Sequence, residues 1–160
     1  MGNQKTVLQY CKYTPTQDTY PVSNVGVKMP GFAIDSMNIP GVKVPAPNER
    51  VLKIVMSPEL GNHKDITLLL SIISPHSKTG LHTHDSDEIM YVAAGEGEST
   101  MDGKTEKIRL NTVIFAPKSV QHEIKSTSDE TLKLVCLYIP PLKPTGYFLD
   151  AINAARKERT

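Results

Sequence analysis

Short apolar runs separated by turn residues dominate this chain, and they predict β-strands rather than helices. Val, Ile, Leu and Tyr recur in short blocks, and Gly, Pro, Asp or Asn stands between the blocks. The run at 66–74 has apolar residues at both parities, which predicts a strand buried on both faces. The predicted strands are 51–56, 66–74, 79–84, 88–94, 99–102, 105–110, 113–116, 120–125 and 131–139.

The order of these runs predicts an all-β fold, either a barrel or a double-sheet jelly roll. Asp102-Gly103 lies between two alternating segments, and this dipeptide is a strong signal for a β-hairpin. A helical period appears only at 146–159, where apolar residues recur at helical spacing and basic residues cluster at the end. We expect this short C-terminal helix to pack on the exterior of the barrel.

Residues 1–48 form a proline-rich segment without a clear period, which argues against long helices there. Its Val, Ile, Met and Tyr residues are too numerous for a solvated tail, so we expect an extended arm of short edge strands on an apolar surface. That surface is the chain's own barrel or, in the version we prefer, a partner subunit. The predicted organisation is an arm at 1–48, a barrel at 49–142 and a terminal helix at 143–160.

The composition limits the possible classes of function. The chain has 160 residues and a formal net charge of +1, which suits one domain and offers no basic surface for nucleic acid or an anionic membrane. Cys11 and Cys136 stand in unlike surroundings, so neither a disulfide nor a thiolate metal site is expected. No apolar run has the length of a signal peptide or a membrane span, and we expect a cytoplasmic protein.

Candidate metal ligands are concentrated in one stretch, where His82, His84 and Glu88 fall within seven residues and His122 follows downstream. Side chains alternate faces along an extended strand, so His82 and His84 would project to the same side. The turn-forming residues 85–87 allow Glu88 to return beside them. In a lone His-Xaa-His pattern, one histidine can also lie on the surface while the other makes an ordinary hydrogen bond. The prediction of a metal site therefore depends on the spacing to Glu88 and His122.

This spacing resembles the two signature motifs of the cupin superfamily, and the resemblance covers about residues 66–140. The residues that match the first motif are His82-Thr83-His84, Glu88 and Gly95, and those that match the second motif are Pro117 and His122.

The chain departs from the cupin pattern at four positions without losing a ligand. His76, Asn111 and Ser119 stand where glycine is usual, and Ser126 stands where asparagine is common. The three glycine positions concern backbone turns, and Asn tolerates left-handed dihedral angles more readily than His does.

The resemblance implies a double-stranded β-helix that holds one divalent transition metal per chain through His82, His84, Glu88 and His122. Three imidazoles and one carboxylate suit iron(II), our first expectation, and also manganese, zinc, nickel or cobalt. An octahedral ion with four protein donors keeps two positions open, which favours a functional metal over a structural one.

Strand parity predicts which side chains share the barrel interior with these ligands. Tyr138 has the parity opposite Lys133 and points inward if Lys133 faces solvent; its buried phenol then needs a partner, either a substrate or a backbone carbonyl. Tyr138 and His76 are the catalytic candidates, and for His76 a residue without a role in the site is the favoured interpretation. The other inward residues, expected to be ordinary core, are Met90, Val92, Leu132, Leu134 and Cys136.

The function that the resemblance implies is an enzyme acting on a small oxygenated molecule bound to the metal in the barrel. Iron-dependent dioxygenation comes first and isomerase or lyase chemistry next; the alternative is a non-catalytic small-molecule or metal-binding module. A wide, wet pocket would favour the enzyme, and a pocket filled by core residues and Tyr138 would favour the module. We also expect a homodimer, because Val135, Leu137 and Ile139 make the outer face of the last strand apolar.

Overall fold

Two antiparallel β-sheets enclose the main hydrophobic core of this computed structural model, which describes residues 33–157. The strands are β1 (Val42–Val44), β2 (Arg50–Met56), β3 (Thr67–Ile73), β4 (Asp87–Ala94), β5 (Glu96–Met101), β6 (Lys104–Arg109), β7 (Val113–Ala116), β8 (His122–Ser126) and β9 (Leu132–Ile139). The larger sheet has the order β1-β2-β3-β9-β4-β7, and the smaller has the order β6-β5-β8. The predicted all-β jelly-roll class is confirmed.

The doubly apolar run of the sequence forms β3, which lies between β2 and β9 inside the larger sheet. Leu69 and Ile73 are fully buried in the main core. Leu70 is buried in a second cluster with Ile39 and Val55. Both faces of β3 are therefore covered, as its sequence pattern predicts.

β5 begins three residues before the predicted strand, at Glu96. A glycine inside a run weakens the strand pattern, and so the sequence places the start at residue 99. In the structure Gly97 pairs with Ser126 of β8, and a Cβ on Gly97 would clash with the carbonyl oxygen of Lys125. The glycine thus allows β5 and β8 to approach closely, and it belongs to the strand.

Tight turns occur where the sequence and the family resemblance place them. Asp102 (φ 46°) and Gly103 (φ 76°) join β5 to β6, with the two positive angles that a type I′ hairpin requires. His76, Asn111 and Ser119 also have positive φ angles, of 58°, 71° and 64°. Each residue that stands at a usual cupin glycine therefore adopts the left-handed conformation that glycine favours.

The segment that carries His82 does not form the regular strand predicted at 79–84. It contacts β8 through an isolated bridge, in which His82 and His122 exchange two backbone hydrogen bonds of 3.0 Å. The carbonyls of Thr79 and Gly80 accept hydrogen bonds from side chains instead of from a neighbouring strand. The β-sheet hydrogen-bond ladder is interrupted here because these two carbonyls bond to the side chains of Arg50 and His82.

One α-helix, α1 (Gly146–Lys157), occurs among the described residues and packs against β1 and β2. Ala151 and Ile152 belong to the main core, and the ring centroid of Phe148 lies 6.5 Å from that of Tyr138. The helix therefore helps to close the barrel interior, whereas the sequence pattern suggested packing on the exterior alone.

Several sequence predictions concern the two ends of the chain. Residues 1–32 of the predicted arm, including Cys11, and residues 158–160 lie outside the described part. Within the arm, Val42–Val44 forms β1 and pairs with β2 at the edge of the larger sheet. The domain limits and the exchange of the arm stay predictions. Between residues 33 and 157 no helix is long and apolar enough to cross a membrane.

Candidate metal centre

The four predicted ligands meet at one point between the two sheets. Glu88 comes from β4 in the larger sheet and His122 from β8 in the smaller sheet, while His82 and His84 lie on the segment before β4. Their ligand atoms all lie within 4.8 Å of one another. An ion with metal–ligand bonds of about 2 Å holds its donors up to about 4 Å apart, so these four donors lie close to the arrangement that one ion needs and would move slightly inward to bind it.

Each imidazole of the cluster is held by a backbone carbonyl two residues away in the chain. A carbonyl can only accept, so Nδ1 carries the proton in all three rings and Nε2 of the neutral ring keeps a lone pair. Proteins commonly orient metal-binding histidines in this way. The bonds are His82 Nδ1 to Gly80 O (2.8 Å), His84 Nδ1 to Ser86 O (2.7 Å) and His122 Nδ1 to Val120 O (2.9 Å).

Glu88 is the anionic member of the cluster and is only 3% exposed. Its Oε2 lies 2.9 Å from His84 Nε2 and 3.1 Å from His122 Nε2. Burial alone would raise the pKa of this carboxyl, but hydrogen bonds from His122, His84 and Tyr138 outweigh burial and lower the pKa to about 2. Glu88 is therefore ionised at neutral pH and offers its charge to a cation.

The histidines respond to this charge in different ways. Burial disfavours protonated His122, yet its bonds to Glu88 and to the Val120 carbonyl raise its pKa. Burial lowers the pKa of His82, and the bond to the Gly80 carbonyl only partly offsets the effect. A close contact between a carboxylate and Nε2 requires either a shared proton or a cation. A divalent ion fits this donor set, because neutral imidazoles and an ionised carboxylate are its ordinary ligands.

A small cavity extends from the ligands into the barrel. Its volume is about 30 Å³, which is room for a few atoms beside an ion. Its polar lining consists of Arg50, Ser71, Thr79 and Tyr138 together with three of the four ligands. A surface groove bordered by Phe148 also reaches two of the ligand histidines, so the cluster can be approached from outside.

Comparison with protein families agrees with this geometry. A family model described as the cupin domain matches residues 69–138, which run from β3 to β9 and contain all four ligands. The protein is a member of the cupin superfamily. Two residues outside the matched region of this cupin, Arg50 and Phe148, also line its cavity.

The names of the similar proteins do not agree on one activity. An uncharacterized protein of Methanocaldococcus jannaschii is 28% identical over 92 residues, or 57% of this chain and 74% of that protein. The H2HPP isomerase of Bacillus subtilis is 30% identical over 94 residues, 54% of this chain but only 39% of the isomerase. A crystal structure of a predicted oxalate decarboxylase from Thermotoga maritima matches with a TM-score of 0.62 and 25% identity, over 68% of this chain and 98% of that one. The cupin fold alone therefore does not assign a reaction.

Of the two catalytic candidates, the structure places Tyr138 in the cavity and His76 on the surface. Tyr138 is 4% exposed, and its ring centroid lies 5.1 Å from that of His84. Burial and the neighbouring Glu88 carboxylate raise the pKa of its phenol well above the usual value, so the hydroxyl stays protonated. The His76 side chain is 63% exposed, and its Nε2 contacts Asp129 Oδ1 at 2.8 Å.

The inward parities predicted for β4 and β9 are confirmed. Burial raises the pKa of the Cys136 thiol. The buried residues predicted on this face are Met90, Val92, Leu132, Leu134 and Cys136.

Arg50, Ser71 and Phe148 are among the cavity residues that sequence reasoning did not find. Arg50 lies one position before the predicted strand at 51–56, although its inward parity with Leu52 was a usable signal. Ser71 interrupts the apolar run of β3 and could have been recognised as an odd polar residue on a buried face. Phe148 depends on where α1 packs, and helix periodicity does not contain that information.

Proposed function

We propose that this cupin is a metal-dependent enzyme that acts on a small oxygenated metabolite inside its barrel. The observation that carries the proposal is the orientation of the ligands, since three imidazoles fixed through Nδ1 and an ionised carboxylate converge within 4.8 Å. The ion would be held by His82, His84, Glu88 and His122. Three nitrogen donors and one oxygen donor suit iron(II), our first choice, and also manganese, zinc, nickel or cobalt.

The charge balance of the site favours an oxygenated, anionic ligand. A bound divalent ion would supply Lewis-acid polarisation of a ligand oxygen. Glu88 contributes one negative charge and the imidazoles contribute none, so the loaded site keeps a net positive charge. Tyr138 is protonated and buried beside the cluster, and once a bound ion balances the charge of Glu88 its hydroxyl would turn from Glu88 and donate to an oxygen that gains negative charge.

A second candidate, the non-catalytic binding module, is favoured by the narrowness of the cavity. Met90, Leu134 and Tyr138 all line it, and the space of about 30 Å³ is small for a substrate pocket. The enzyme is favoured by the polar lining at Arg50 and by the groove past Phe148, because an ion with only a structural role needs neither recognition groups nor access.

Turnover assays on metal-reconstituted protein test this proposal. Metal-free protein would be loaded anaerobically with iron(II), manganese or zinc and incubated with hydroxy acids, oxo acids and sugar acids, and substrate loss would be followed by NMR. We expect metal-dependent turnover that Tyr138→Phe slows in kcat without lowering metal content. His76→Ala serves as the histidine control and should retain full activity.

The oxygen requirement separates the two reaction classes. Stoichiometric oxygen uptake with iron(II) would assign dioxygenation, the first expectation from the family resemblance. Turnover without oxygen, with manganese or zinc, would assign the lyase or isomerase chemistry that the names of the two relatives suggest. Ligand binding without turnover under every metal would contradict the enzyme and favour the module.

A further inference from the structure

Arg50 and Ser71 form a second polar group in the cavity, apart from the metal ligands. Arg50 begins β2 on the inward face, next to Leu52 on the same face. Leu52 pairs with Ser71 in the register between β2 and β3. Arg50 and Ser71 are thus diagonal neighbours on one sheet face, a separation that an arginine side chain can bridge.

Arg50 carries a charge for which residues 33–157 provide no counter-ion. Its Nη1 donates to the carbonyls of Asn48 (3.0 Å) and Thr79 (3.2 Å), which fix the guanidinium in place. Nε and Nη2 make no hydrogen bond to residues 33–157, and no carboxylate in that range lies within ion-pair distance of Arg50. A partly buried cation without an acidic partner is costly, and an anion from solution would relieve the cost.

Ser71 is the independent sign that a ligand binds here. Its side chain is 5% exposed, and its Oγ has no hydrogen-bond partner among the described residues. An unsatisfied buried hydroxyl destabilises a fold, whereas alanine at the same place would pack without that penalty. Because Ser71 lines the cavity, a ligand in the cavity is the available partner for this hydroxyl.

We propose that Arg50 and Ser71 form a carboxylate subsite for the molecule that the metal centre binds. This inference rests on the proposed metal-dependent function and narrows its substrate class to short hydroxy, oxo or dicarboxylic acids. The free guanidinium N–H groups match the two oxygens of a carboxylate, and the serine hydroxyl supplies a third donor. The small volume of the cavity limits the acid to a few non-hydrogen atoms.

Calorimetric titration of the manganese-loaded protein tests the subsite with a matched pair of probes. Glycolate has a hydroxyl for the ion and a carboxylate for Arg50, while glycolamide replaces the carboxylate with an uncharged amide. We expect wild type to prefer glycolate and Arg50→Gln to lose at least about tenfold in glycolate affinity. Glycolamide affinity and manganese content should not change, and Arg109→Gln, an exposed arginine on β6, is the control.

Ser71→Ala provides a test that does not depend on a charged variant folding. This variant should bind glycolate about threefold more weakly, yet unfold at a higher temperature, because it removes an unsatisfied buried hydroxyl. Arg50→Lys, which keeps the charge but loses the planar fork, should fall between wild type and Arg50→Gln.

Three results would overturn the subsite: equal glycolate affinity in wild type and Arg50→Gln, equal losses for glycolate and glycolamide, or unchanged binding in Ser71→Ala. If fully loaded wild type binds neither probe, the carboxylate subsite is wrong while the metal centre stands. If wild type takes up no metal, the failure lies in the proposed function instead.

Discussion

The two faces of β4 differ greatly, although apolar residues stand on both. The inward row of Glu88, Met90 and Val92 is at most 3% exposed, and Oε2 of its one polar group contacts the rings of His84 and His122. The outward row contains Ile89 and Tyr91, which are 38% and 40% exposed. The inner face thus holds the charged group in an enclosed space, and the outer face leaves apolar side chains exposed. Substitutions on one face should therefore leave the function of the other face intact.

The outer apolar surface continues onto β7. Phe115 pairs with Ile89 and Val113 with Tyr91, and their exposed fractions are 54% and 64%. Val135 of β9 is instead partly covered, because it packs against the second core cluster. The exposed patch therefore lies mainly on β4 and β7, and Ile139 of β9, which is 45% exposed, belongs to the outer face that the sequence pattern predicted.

The largest expected effect is the thermal stabilisation of the protein by a metal ion bound on the inner face of β4. Saturating manganese or zinc should raise the unfolding temperature of wild type by about 10 °C, because an ion that binds only the folded state stabilises it by mass action. Glu88→Gln should lose most of this shift, since the site loses its only anionic donor. Differential scanning calorimetry with and without chelator measures the effect. Glu106→Gln, an exposed carboxylate on β6, should respond like wild type, and an unchanged shift in Glu88→Gln would contradict the site.

The inner-face chemistry could be predicted from sequence because it depends on short-range spacing. His82, His84 and Glu88 lie within seven residues of the sequence. The alternation of residue types along β4 predicts which of its side chains point inward. The positive φ angles at His76 and Asn111 also follow from local motif positions.

The rest of the cavity could not be predicted because it depends on long-range pairing. Ser71 meets Arg50 only through the register of β2 on β3, and Phe148 reaches the cavity only through the packing of α1. The regular strand expected around His82 does not form because side chains take up its backbone carbonyls: Thr79 O accepts from the distant Arg50, and Gly80 O accepts from the nearby ring of His82.

The next largest effect concerns the outer face, where we predict a homodimer. Phe115→Asp places a charge at the centre of the exposed patch and should weaken dimerisation at least about tenfold, without changing metal content. Light scattering at micromolar concentration measures the change, and Leu149→Asp, an exposed position on α1, is the control. A monomeric wild type, or a Phe115→Asp variant that remains dimeric, would show that this face does not mediate association.

The smallest effect is the pH dependence of the metal-free protein. The pKa of Glu88 falls from 4.5 to about 2 on folding, so its ionised form stabilises the fold above pH 4.5. That contribution should be lost progressively as the pH falls from 4.5 towards 2. Urea unfolding in the presence of chelator measures it. Glu88→Gln should show a shallower loss over this window than Glu106→Gln, and identical acid profiles would mean that the cluster does not hold Glu88 ionised.

Elemental analysis of purified protein tests the metal centre most directly. Wild type should carry close to one transition-metal ion per chain, and His82→Ala, His84→Ala and His122→Ala should each lose most of it. The matched controls His63→Ala and His76→Ala, which remove histidines outside the cluster, should retain the wild-type content. Equal metal content in wild type and all of these variants would contradict the assignment of the site.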